Sequence, residues 1–85
     1  SYDRGLYDES LNWTNRALRY YPNDKQLINR KIDNLTKLEK FGAAADLAER
    51  RWKQSPTNDN QEIYLELKTQ AGKQYMQGMD MDSAL

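Results

Sequence analysis

The chain has 85 residues, too short for two ordinary domains, and its 13 basic side chains balance its 13 acidic ones, which argues against a general electrostatic grip on nucleic acid or an anionic membrane. It contains neither Cys nor His, which removes disulfides, zinc–thiolate sites and thiol chemistry, and with them any clue to redox compartment. Its longest apolar stretches fall far below the roughly 20 residues of a membrane-spanning helix.

Ser1 to Leu6 reads as a short lead-in with Gly5 as its turn residue. From there Tyr7, Ser10, Leu11, Thr14, Ala17, Leu18 and Tyr21 recur at spacings of three and four. That pattern predicts a helix over 7–20 with one buried stripe. Asp8 and Glu9 in its first turn, and Arg16 and Arg19 near its end, suit the helix dipole. Pro22 stops it and pushes Tyr21 out of helical geometry. Asn23 or Asp24 then caps a second helix over 25–40, whose apolar face is Leu27/Ile28, Ile32, Leu35 and Leu38.

After a short loop, Phe41-Gly42 opens a third helix over 42–54. Ala43, Ala44, Ala45, Leu47 and Ala48 are small or medium, so a partner backbone can approach closely there, and Trp52 adds bulk near the end. Ser55-Pro56 terminates it. A cap from among Thr57 to Asn60 starts a fourth helix over 59–77, with Ile63/Tyr64, Leu67, Ala71 and Tyr75 on one face. Gly72 lies inside it, best tolerated where another helix packs tightly, and Gly78 is expected to end it. No stretch alternates with β-branched residues, so the expected fold class is all-α, with antiparallel neighbours. The apolar content is low but organised, as in a folded chain.

No catalytic constellation is visible, so the chain is expected not to be an enzyme and to carry no cofactor. Without His or Cys, acid–base or nucleophilic work would fall to carboxylates, Lys, Ser, Thr or Tyr. Asp8-Glu9 is better read as helix-start charge. Asp80-x-Asp82 lacks the further oxygen ligands and the glycine of a calcium loop. Gly42, Gly72 and Gly78 make no phosphate loop. Arg50-Arg51-x-Lys53 around Trp52, beside Asp46 and Glu49, reads as a solvated helix end rather than a nucleic-acid patch. The Tyr and Trp rings sit mostly at core spacing, so packing is preferred to base stacking.

Pro22 and Pro56 lie 34 residues apart. Tyr7 with Phe41, Ser10 with Ala44, Trp13 with Leu47, Arg16 with Arg50, Leu18 with Trp52 and Arg19 with Lys53 keep that offset. A fixed period in the range of about 20–50 residues signals stacked helical units. Gly72 followed by Tyr75, small residues at Ser10, Ala44 and Ala84, Ala17 at a second small site, and the closing prolines Pro22 and Pro56 resemble the tetratricopeptide repeat, over nearly the whole chain. Ile32, Arg51 and Lys68 depart from its usual Gly, Ala and Trp, and the last repeat keeps register only if the offset grows from 34 to 40 (Phe41 to Met81, Leu35 to Tyr75). That growth implies extra residues after Pro56, about a further turn on the fourth helix.

The resemblance implies an α-solenoid fragment of antiparallel helix-turn-helix repeats within one domain over 1–85. Residues 1–24 would hold the second helix of a first repeat, 25–58 a complete repeat, and 59–85 the first helix of a third with the start of its second at Met81. The chain opens at Ser1 rather than Met, and a piece of a longer array in a bacterial-looking protein is expected. Its tail would be frayed, and Tyr7, Leu11, Thr14 and Leu18 would lack the helix that normally covers them and would pack only partly on the second helix. In arrays of this kind the first helices of each pair line a concave groove for a peptide or a partner's helix. Carried over residue by residue, the groove sites are Gln26, Asn29, Asp33, Thr36 and Lys37, then Glu66, Thr69, Lys73, Met76 and Gln77. The Lys and Asn pattern with which chaperone-binding members hold a terminal carboxylate is not matched, since Asn29 and Asp33 stand at the paired sites. The expected function is therefore a non-catalytic interaction or scaffold module for a protein or peptide partner. The alternatives are a structural, self-associating element, and an accessory domain of a larger enzyme or envelope protein.

Overall fold

Each proline falls in a loop, and the loops divide the chain into helices. A computed structural model describes the backbone of residues 2–83 and the side chains of residues 4–77. Within it run α1 (Tyr2–Tyr20), α2 (Lys25–Lys37), α3 (Phe41–Gln54) and α4 (Asn58–Ser83), with no strand among the described residues. The all-α expectation is met.

The caps explain where α2 and α4 begin. Asp24 sits in extended geometry and its carboxylate accepts from the Leu27 amide at 3.1 Å, which serves one of the orphan donors of the first turn. At α4 the Thr57 hydroxyl accepts from the Asn60 amide at 3.1 Å. The Asn60 side-chain amide reaches back to the Ser55 carbonyl at 2.8 Å and ties the loop shut.

The end of α2 falls earlier than the spacing predicts, at Lys37 rather than residue 40. Lys40 donates to the Leu35 carbonyl at 2.8 Å and Glu39 to the Thr36 carbonyl at 3.0 Å. These two bonds are the Schellman arrangement, which requires a left-handed residue; Glu39 takes that conformation, at φ 60°.

Three polar contacts fix the direction of neighbouring helices. Ser10 of α1 meets Asn34 near the end of α2. Asn29 near the start of α2 meets Arg51 near the end of α3. Gln74, far along α4, donates at 2.9 Å to the Glu39 carbonyl just before α3. Ser10 lies about as far before the α1–α2 loop as Asn34 lies after it, and the other two pairs join the front of one helix to the back of its neighbour, so consecutive helices are antiparallel and pack in chain order.

The core forms where the apolar stripes meet. Ile28, Ile32 and Leu35 of α2, Ala44, Ala45 and Ala48 of α3 and Leu67 of α4 make one buried cluster, flanked by the half-buried Leu11, Leu18, Phe41, Leu47 and Tyr64. Leu38 is the most completely buried large side chain. Trp52 and Tyr64 stack with centroids 5.8 Å apart and planes 13° from parallel, locking α3 to α4. Between α1 and α2 the contact is partly polar. Asn34, 3% exposed, donates to the Ser10 hydroxyl at 2.9 Å, and Thr14, 3% exposed, returns its hydroxyl to the Ser10 carbonyl at 2.7 Å. Burying these groups is tolerable because each has a partner.

Several expectations are corrected. The segment before Tyr7 is helix from Tyr2, not a lead-in turn, and Gly5 lies in it with open space around it. Nor does Gly78 end α4, which runs 26 residues through Ser83 without a break at the expected stub. Met81 to Ser83 of the expected stub continue α4, whereas Ala84 and Leu85 lie outside the described residues. Gly72 meets nothing within 4 Å where a Cβ would stand, so it makes no close helix contact. Tyr21, beyond the end of α1, and Tyr75 are exposed rather than packed, as is Ala43.

Candidate functional site

The expected groove draws on α2 and α4, which lie on either side of α3. There the structure forms a cleft of about 280 Å³. Asn29, Asp33 and Thr36 of α2 and Glu66 of α4 line it, with Ile32, Ile63 and Leu67 as apolar wall and Arg51 of α3 between them. The spacing explains the α2 contribution. Asn29, Ile32, Asp33 and Thr36 step by three and four along one helix face, beside the buried stripe of Ile28, Ile32 and Leu35. Thr36 turns its hydroxyl to the Ile32 carbonyl at 2.7 Å and presents its methyl elsewhere.

Six other expected groove residues do not line this cleft. Gln26 and Lys37 are exposed near the two ends of α2. Thr69, Lys73, Met76 and Gln77 are exposed further along α4. Thr69 bonds its hydroxyl to the Leu65 carbonyl at 2.8 Å, within its own helix.

Arg51 is the residue that sequence reasoning placed wrongly. It belongs not to a solvated basic end but to the junction of three helices, half-buried. One guanidinium nitrogen, Nη1, donates to the Asn29 side-chain carbonyl. Nε and Nη2 are buried and have no hydrogen-bond partner among the described residues. A buried donor left in that state costs roughly 1–3 kcal/mol. Burial also holds the Arg51 pKa below the ordinary guanidinium value, although the group remains a cation at any ordinary pH. Neither Asp33 nor Glu66 forms an ion pair with it among the described residues. The signal was present in the spacing: Ala44, Ala48 and Arg51 step along the face of α3 that enters the core.

Arg51 also borders a second, smaller cleft of about 130 Å³, formed by the start of α2, the end of α3 and the start of α4. Lys25, Asn29, Gln54 and Asn60 line it as well, and no carboxylate does.

The remaining charged neighbours are solvated. Lys53 pairs with Glu49 at 3.0 Å, one turn apart on α3. That ammonium first, then the Tyr64 hydroxyl, lowers the Glu49 pKa, and Glu49 raises that of Lys53. Lys68 lies over the Tyr64 ring at 5.6 Å, extending the Trp52–Tyr64 stack outward.

On the far side of the molecule, Trp13 is 62% exposed and Leu6 is 56% exposed. They border a shallow groove between α1 and α2, closed by Glu9, Ala17, Leu27 and Arg30. Arg16 lies over the Trp13 ring at 5.5 Å. Thr14 is buried and Tyr7, Leu11 and Leu18 are half-buried, in keeping with a stripe expected to pack only partly on α2.

No described helix is long and apolar enough to cross a membrane. Compared with protein-family models, with curated proteins and with solved structures, the chain returns no match.

Proposed function

We propose that the chain is a non-catalytic interaction module, tetratricopeptide-like in its pairing of helices, that receives a peptide or a partner's helix along the α2–α4 face. The observation that carries this reading is the cleft holding Asn29, Asp33, Thr36 and Glu66, polar groups from two helices, around the apolar wall of Ile32, Ile63 and Leu67. A mixed lining of this kind suits an amphipathic segment, with apolar side chains seated on the wall and polar groups fixing register. Support for repetition comes from burial at the 34-residue offset: Thr14 and Ala48 are both buried, and Leu18 and Trp52 both half-buried.

The test is selection from a displayed peptide library, with an Asp33→Ala/Glu66→Ala double variant used to remove peptides that bind elsewhere. Peptides that bind the wild-type chain and lose about tenfold or more in affinity on the double variant are expected, equivalent to about 1.4 kcal/mol. Failure to enrich any such peptide would overturn the reading.

A second reading, self-association, is favoured by one observation. Trp13 and Leu6 leave an apolar patch on α1 of the kind that marks an interaction surface.

A further inference from the structure

We propose that copies of the chain join end to end, the outer face of α4 in one copy docking into the groove between α1 and α2 of the next. This contact is one particular form of the self-association read from Leu6 and Trp13, and rests on it. The exposed large apolar side chains are not spread evenly. Leu6, Trp13 and Tyr20 lie on α1, Tyr21 just beyond it, and Ile63, Leu65, Tyr75 and Met76 on α4, with none on α2 or α3 among the described residues. The division follows the order of packing. α2 and α3 each rest on two helices, α1 and α4 chiefly on one.

The 34-residue offset points to a helix as the occupant of the groove. Ser10, Trp13 and Thr14 border it, and their counterparts in α3 are Ala44, Leu47 and Ala48. Both alanines are fully buried, because α3 carries a helix on each flank. α1 has α2 on one flank and opens on the groove beside it. α4 of a second copy matches this surface in shape and in charge. Leu65, Thr69, Gly72 and Met76 step by four, three and four along the side of α4 opposite the covered stripe of Tyr64, Leu67 and Ala71. In the single chain nothing lies within 4 Å of where a Gly72 Cβ would stand, so the stripe has a gap midway that admits a bulky ring.

Trp13 supplies that ring. Let the two helices run antiparallel, as consecutive helices of the fold do, with Trp13 over Gly72. Tyr20 then falls on Leu65, each seven residues along, and Arg19 falls beside Glu66, each six residues along. Glu9 comes within a turn of Lys73. A two-fold pairing of α1 with α1 also opposes unlike charges. It sets bulk against bulk, however, and leaves Leu65 and Met76 uncovered. Because the contact joins two different faces, it does not close on itself, and copies add in line.

The experiment is sedimentation equilibrium of the full chain as wild type and as two variants, Trp13→Glu at the α1 end and Leu65→Glu at the α4 end. Both side chains are exposed, so both variants should keep the wild-type helical content by circular dichroism. Wild-type mass is expected to rise past twice that of the monomer without a plateau, with a dissociation constant per contact on the order of 0.1–1 mM. Each variant alone should be monomeric, its contact weakened about tenfold or more by a charge placed against an apolar face. Mixed in equal amounts, the variants should form a one-to-one dimer and nothing larger, since the intact α4 of the first meets the intact α1 of the second. Absence of that mixed dimer would overturn the end-to-end contact. Wild-type mass that levels at a dimer, with Leu65→Glu still dimeric, would also overturn it, while keeping self-association through α1 alone. A strict monomer at about 1 mM would overturn both.

Discussion

Glu39 takes a backbone conformation that glycine adopts freely and an L side chain does not. The Schellman bonds at the end of α2 require it, and Gln74 of α4 holds its carbonyl from outside. Glu39→Gly should therefore raise stability by about 0.5–1 kcal/mol, and Glu39→Val should lower it. Chemical denaturation reads this directly, and a lower midpoint for the glycine variant would refute it. This turn was illegible in the sequence because its usual marker is missing: the nearest glycine, Gly42, lies inside α3. Arg51 was misjudged for a related reason. Residue type argued for solvent and position argued for the core, and only the packing of Asn29 against it settles which wins.

At the scale of the element, the prolines and the spacing of apolar residues located all four helices and nearly every core position, because burial of a stripe is what fixes a helix in place. Ala44 illustrates the success: it is fully buried among α2, α3 and α4 side chains. Ala44→Leu should overpack that contact and cost about 1–3 kcal/mol. The failures are glycines. Gly5 and Gly72 carry no turn and no close contact, and the helices run through them. A single glycine costs roughly 1 kcal/mol in a helix, too little to stop one that is otherwise stabilised. The paired expectation for Gly72→Ala is therefore the opposite sign, a gain of up to about 1 kcal/mol. Thermal melts of the two variants check both, and a loss at Gly72 would mean that something packs there. The expected groove suffered from the same blindness to length. Residues beyond Leu67 were placed in it by register, yet α4 extends well past the cleft, at 26 residues against 13 for α2.

For the whole molecule, the apolar surface at Leu6 and Trp13 sets the main question of assembly. Burying one large apolar side chain is worth roughly 1.5–3 kcal/mol, and a two-fold contact would bury Leu6 and Trp13 from each copy, a gain to be set against an association cost of at least about 4 kcal/mol. If self-association uses this face, light scattering across a concentration series should show mass rising with concentration, and Trp13→Ser should abolish the rise. A strict monomer at the highest concentration would remove this reading and leave the groove reading untouched. The order of packing has one more consequence. Because each helix rests chiefly on the one before and after it, the chain is stitched together by contacts of short sequence separation. Little loop entropy must be lost before the first favourable contacts form, so the polypeptide can zip from any neighbouring pair, on the microsecond-to-millisecond timescale typical of local helical topologies.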